Sequence, residues 1–104
     1  MAANKVITGT TQTVTTNGTR VQLSSTATTV LSVIVQADGA NTGALYVGDS
    51  TVSSTDGLQL SPGQSISINA ELVGGNSDGF TLTDIYIDSD SNGSKARFAY
   101  ITRR

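Results

Sequence analysis

The chain has 104 residues, 37% of them apolar and 13% charged, with a net charge of −2 and neither histidine nor cysteine. Without histidine the usual general base, the usual zinc ligand and the pH switch near neutrality are all missing; without cysteine there is neither a disulfide frame nor a thiolate metal site. The length suits one domain and the small charge calls for no nucleic-acid or membrane partner. The few aromatic residues (Tyr46, Phe80, Tyr86, Phe98 and Tyr100) leave the core to Val, Ile and Leu.

The first residues, Met1-Ala2-Ala3-Asn4-Lys5, lack the apolar stretch of a signal peptide. No apolar run approaches the roughly 18 residues that cross a bilayer. The expectation is a protein made in the cytoplasm and not exported by that route. The segment from Thr8 to Thr16 is rich in threonine, whose β-branched side chain favours extended backbone, but it is poor in apolar residues. Residues 1–19 therefore read as an N-terminal arm, an edge strand or a disordered polar leader, set before a β-sandwich domain over residues 20–104. From Arg20 the pattern firms: Val21 and Leu23 alternate with polar residues, and the run Val30-Leu31-Ser32-Val33-Ile34-Val35 predicts a core strand covered on both faces, at the centre of a sandwich or at a subunit interface.

Turn formers from Asp38 to Gly43 precede a short strand, Leu45-Tyr46-Val47-Gly48. A polar loop from Asp49 to Asp56 follows, then Leu58 and Leu60 alternating around Gln59. Pro62-Gly63 suits the two central positions of a type II turn and leads into an alternating strand at Ile66-Ser67-Ile68. After the Gly-rich stretch Gly74 to Gly79, a strand is predicted from Phe80 to Ile87, and a closing strand from Lys95 to Thr102. Asn92-Gly93 between them predicts a type I′ hairpin that pairs Ile85–Asp88 with Lys95–Phe98. No segment shows a helical apolar period with caps. The pattern is that of an all-β fold, a small β-sandwich or jelly-roll-like barrel of about seven to eight short antiparallel strands. The expected core and subunit contacts are Val30 to Val35, Leu45, Val47, Ile66, Ile68, Ile85, Ile87, Phe98 and Tyr100.

Candidate chemistry is thin. Asp88-Ser89-Asp90-Ser91-Asn92-Gly93 matches the first half of a calcium loop, but its twelfth position, which needs a bidentate Glu, is Ala99, and its flanks read as strands. A hairpin turn is the expectation there, and no metal is assigned. The Gly-rich stretches lack the Lys-Ser/Thr ending of a phosphate loop. Asp84 and Asp88 would share a strand face, as a glycosidase pair might be imagined to do, yet Lys95 and Arg97 are expected beside them, so salt pairing or solvation is the reading. Serine and threonine are abundant but have no histidine to activate them. No catalytic residue, no cofactor and no enzyme activity are expected.

Three segments, Asn41-Thr42-Gly43-Ala44-Leu45-Tyr46-Val47-Gly48, Gly57-Leu58-Gln59-Leu60-Ser61-Pro62-Gly63-Gln64-Ser65 and Leu82-Thr83-Asp84-Ile85-Tyr86-Ile87-Asp88, are followed by Asn92-Gly93 and a terminal strand. In that order and spacing they resemble a group of short tailed-bacteriophage virion proteins, over roughly residues 30 to 102. The resemblance implies a small β-sandwich on the phage particle, without catalytic residues. It makes the leading expectation a capsid decoration or cement protein that binds the head surface, acts as a homotrimer, and has the major capsid protein or another virion protein as its partner. A tail, neck or fibre component is the alternative, and a glycan- or receptor-binding module is the alternative of another class. The acidic residues all lie between Asp38 and Asp90, whereas Lys95, Arg97, Arg103 and Arg104 cluster near the C-terminus. These charges read as solvated rims or as a basic end that docks on an acidic partner. Partner contacts are expected at Lys5, Val6, Ile7, Thr13, Val14, Arg103 and Arg104.

Overall fold

The computed structural model describes residues 5–9, 11–69 and 80–102, and over these the fold is all-β. In chain order the strands are β1 (Lys5–Thr8), β2 (Gln12–Val14), β3 (Val21–Gln22), β4 (Thr29–Val30), β5 (Ser32–Ala37), β6 (Leu45–Gly48), β7 (Leu58–Leu60), β8 (Ser65–Asn69), β9 (Phe80–Thr81), β10 (Tyr86–Ser89) and β11 (Ser94–Thr102). They exceed the expected seven or eight because several runs are interrupted. The larger sheet has the order β1-β11-β5-β8, with β2 also on β11; the second has the order β3-β10-β6-β7; β4 and β9 form a separate pair. Every pairing is antiparallel. No helix among the described residues is long and apolar enough to cross a membrane.

One apolar core joins the two larger sheets. Val33, Val35, Ala37, Ala96 and Phe98 enter it from the larger sheet, and Leu45, Val47, Leu60 and Ile87 from the second. Each Val, Leu or Ile so buried contributes about 1.5–3 kcal/mol. Val14, Leu23, Leu60 and Leu82 belong to this core without having been expected there, while Ile66, Ile68 and Tyr100 pack partly buried against it. All four lie in short or polar stretches, where the apolar period is too brief to register.

The N-terminal segment is part of the sandwich wherever it is described. β1 pairs with the end of β11 (Lys5↔Thr102 to Thr8↔Ala99), and β2 with its beginning (Gln12↔Ala96 to Val14↔Ser94). Beyond the first ladder, Gly9 donates its N–H to the Phe98 carbonyl at 2.9 Å. β1 and β2 thus both lie along β11 in the larger sheet, the place of an edge strand.

Three other expectations change. The run Val30 to Val35 breaks at Leu31 into β4 and β5, and β5 is covered on one face only. Val33, Val35 and Ala37 are buried, but Ile34 is 50% exposed. The strand expected from Phe80 to Ile87 is interrupted by a 3-10 turn at Leu82–Asp84. Leu82 and Ile85 both point into the core, and a spacing of three puts two residues on one side only in a turn, because a strand alternates sides. Leu82 N–H donates to the Thr28 carbonyl and Ile85 N–H to the Leu82 carbonyl, which satisfies the backbone through the break.

The third change concerns Asn92-Gly93. β10 pairs with β3 and β6, whereas β11 pairs with β1, β2 and β5, so the two strands lie in different sheets and form no hairpin. A type I′ turn needs positive φ at both central residues, yet among the described residues positive φ occurs only at glycines, Gly93 included and Asn92 not. The turn instead arches between sheets. The Ser89 and Ser94 hydroxyls both donate to the Ser91 carbonyl, at 2.7 and 3.0 Å, and Gly93 N–H donates to the Val14 carbonyl at 2.8 Å. By contrast the Pro62-Gly63 turn forms as expected. Gln64 N–H donates to the Ser61 carbonyl at 2.9 Å, and Gly63 takes φ +88°, the conformation a type II turn demands at that position.

Candidate functional site

The outward face of the larger sheet is its least expected feature. β5 and β11 alternate, and the residues that do not enter the core form a strip of Ile34, Gln36, Arg97, Ala99 and Ile101, with Ile34 directly opposite Ala99 and Arg97 opposite Gln36. Ile34, Gln36, Arg97, Phe98 and Ala99 line a shallow depression of about 210 Å³. Arg97 reaches Asp38 at 3.8 Å across the strip's margin, a loose and exposed contact of less than about 1 kcal/mol. The face therefore combines a bare isoleucine, small apolar neighbours and one cation that its pair hardly neutralises. Arrangements of this kind suit association.

Of the expected contact residues, Lys5, Val6 and Ile7 lie in β1, opposite Thr102, Ile101 and Tyr100 of the same chain. Ile7 is half-buried. Thr13 is half-buried opposite Lys95, but Val14 is 0% exposed and belongs to the core, so it is not presented to a partner. Arg103 and Arg104 lie outside the described residues, as does the Gly-rich stretch from Gly74 to Gly79. Ile34 was expected with Val30 to Val35 as core or subunit contact and was not singled out as exposed, because a β-branched apolar run broken only by Ser32 suggests cover on both sides. The signal that would have found it is its phase: Ser32 and Gln36, two residues away on either side, are polar.

On the outside of the second sheet, the loop from Asp49 to Asp56 folds back so that Val52 packs with Ala44, Tyr46 and Tyr86 in a small second core. Tyr46 is 7% exposed, and its hydroxyl donates to the Asp90 carboxylate, 3.0 and 3.1 Å from the two oxygens. Burial pushes its phenol above the ordinary tyrosine range, and the hydrogen bond to Asp90 and the charges of Asp90 and Asp88 push the same way. Within the loop, the Thr51 hydroxyl and backbone N–H donate to Asp49 Oδ1 at 2.6 and 2.9 Å, holding that carboxyl below its usual range.

The half-motif of a calcium loop is spent on protein donors. Asp88, 3% exposed, accepts from the backbone N–H of Gly18 and of Ser89; Asp90 accepts from Tyr46; and Asn92 Oδ1 accepts from the Asn17 N–H. Ala99, its twelfth position, lies on the strip opposite Ile34. Among the described residues no group of three or more His, Cys, Asp or Glu gathers to hold a metal ion. Asp84 sits exposed in the 3-10 turn and Asp88 buried in β10, so they do not share a strand face. Neither pairs with Lys95 or Arg97, because β11 lies in the other sheet; Arg97 pairs with Asp38 instead.

A second depression, of about 220 Å³, lies at one end of the sandwich between the loop around Asn41 and the arch at Asn92-Gly93. Asn41 closes its floor by a two-way bond with the Lys95 backbone, the side-chain amide donating to the carbonyl and the side-chain oxygen accepting the N–H. These polar groups are satisfied within the chain and present no array aimed at a ligand.

Fold and surface together define a small antiparallel β-sandwich whose larger sheet leaves Ile34 bare on its outer face. Comparison of the chain with protein-family models, with curated proteins and with solved structures gave no match.

Proposed function

We propose that this chain is a non-catalytic structural protein of a phage particle, a capsid decoration protein that attaches to the head through the outer face of its larger sheet. The observation that carries the reading is the half-exposed Ile34 at the centre of that face, beside Ala99 and the weakly paired Arg97. A large apolar side chain in the middle of an otherwise well-ordered sheet gains by being covered. The phage setting rests on the sequence resemblance, and the assembly role on the surface. A shell protein and further copies of the chain, as in a trimer, are the proposed partners.

The glycan-binding alternative would require exposed aromatic platforms. Tyr46 is buried and bonded to Asp90, Tyr86 packs into the second core, and Tyr100 stacks on Phe98 with ring centroids 6.1 Å apart, so the tyrosines support assembly over glycan recognition. Co-sedimentation of the purified protein with undecorated phage heads tests the proposal, alongside light scattering for oligomeric state. Saturable binding that is abolished by Ile34→Glu is the expected result. A monomer that ignores heads would overturn it, and about a dozen copies per particle or fewer would move the protein from head to tail.

A further inference from the structure

The sequence contains two Asn-Gly pairs, Asn17-Gly18 and Asn92-Gly93. In such a pair the glycine amide nitrogen, unshielded by a side chain, can attack the asparagine Cγ. The bond from Cγ to the side-chain nitrogen then breaks, ammonia leaves, and the cyclic imide takes up one water to give aspartate or isoaspartate. Neither metal nor oxidant is needed, and base promotes the first step by removing the amide proton. In a folded chain the rate falls with each of the two reacting ends that is held in place.

The fold joins the two pairs across 75 residues of chain and treats them unequally. Asn17 N–H donates to Asn92 Oδ1 at 2.8 Å. Asn92 is thereby held at both reacting ends, because Gly93 N–H also donates at 2.8 Å to the carbonyl of Val14, a fully buried residue of β2. At the other pair only one end is held: Gly18 N–H donates to Asp88 Oδ1 at 2.9 Å, while the Asn17 side-chain amide has no hydrogen-bond partner among the described residues, and residues 15–20 are exposed. Loops with few buried contacts open locally far more often than strands fixed to a core.

We propose that Asn17 is the deamidation site of the folded chain, that Asn92 is protected by the Asn17 backbone and by Val14, and that conversion at Asn17 releases the loop over residues 15–20. Isoaspartate would lengthen the backbone between positions 17 and 18 and pull the Gly18 N–H from Asp88. Either product adds a carboxylate close to the buried Asp88, with like charges opposing closure of the loop.

The test holds the folded full-length protein at mildly alkaline pH, with a parallel sample in denaturant, and follows both positions by peptide mapping and enzymatic isoaspartate labelling. Acid should accumulate at position 17 about tenfold faster than at position 92 in the folded chain, and the two rates should converge in denaturant. Equal rates in the folded sample, faster conversion at Asn92, or conversion at neither position while the denatured chain reacts would each overturn the proposal. Hydrogen exchange on the converted protein supplies the second readout: faster exchange at Gly18 is expected, and unchanged protection there would overturn the coupling to the loop.

Discussion

Gly9 and Tyr46 show how much of this fold turns on single side-chain positions. A Cβ built on Gly9 would run into the ring of Phe98, which is buried. Gly9 is not among the glycines with positive φ, so the demand is for space and not for an unusual backbone. Gly9→Ala should destabilise the protein by about 1–3 kcal/mol, the usual cost of overpacking, as read from urea unfolding midpoints. At Tyr46 the expectation concerns pH. Its phenol titrates higher in the folded state than in the unfolded chain, so the native state holds the proton more tightly. The resulting stability is fully present below the ordinary tyrosine pKa and is lost as pH rises through the raised value. A tyrosinate absorbance titration should show a late-titrating phenol that disappears in Tyr46→Phe, and that variant should lose about 1 kcal/mol at neutral pH with the bond to Asp90.

Among the elements, the turn at residues 61–64 was legible in the sequence because proline fixes φ at the first central position and glycine takes, without strain, the positive φ that the second requires. It also extends the larger sheet's ladder: Gly63 N–H donates to the Ala37 carbonyl and Ala37 N–H to the Gln64 carbonyl, linking the end of β5 to the start of β8. With φ at +88° an alanine is strained, so Gly63→Ala should cost about 1 kcal/mol or more in thermal or chemical unfolding. The arch at Asn92-Gly93 was misread for an instructive reason. Local sequence suggests a reversal of direction, and a reversal does occur, but whether the two arms pair with each other depends on what else competes for them. β10 is taken up by β6 and β3, and β11 by β5, β1 and β2. The strand break at Leu82 was similarly hidden, since only the shared burial of Leu82 and Ile85 reveals that their spacing belongs to a turn.

At the scale of the whole molecule, stability rests on one core shared by two sheets, so a loss on either side is felt by both. Leu45→Ala, at a position with 0% exposure where β6 faces the larger sheet, should cost about 2–5 kcal/mol and sharply lower the unfolding midpoint. Ile34→Glu should change stability by no more than about 0.5 kcal/mol, because the side chain leaves no cavity, while removing attachment to heads. That separation of folding from binding is the sharpest test of the bare face. Composition and period-two alternation were enough to establish an all-β chain, its main strands, the type II turn and the absence of histidine or cysteine chemistry, since these follow from each residue's own conformational and chemical range. Which strands share a sheet, that the Thr-rich start lies on β11 of its own chain, that Val14 is core, and that Ile34 faces outward were settled by long-range pairing. A strand's backbone bonds to whatever edge is in register, and nothing in its local sequence says which face another sheet will cover.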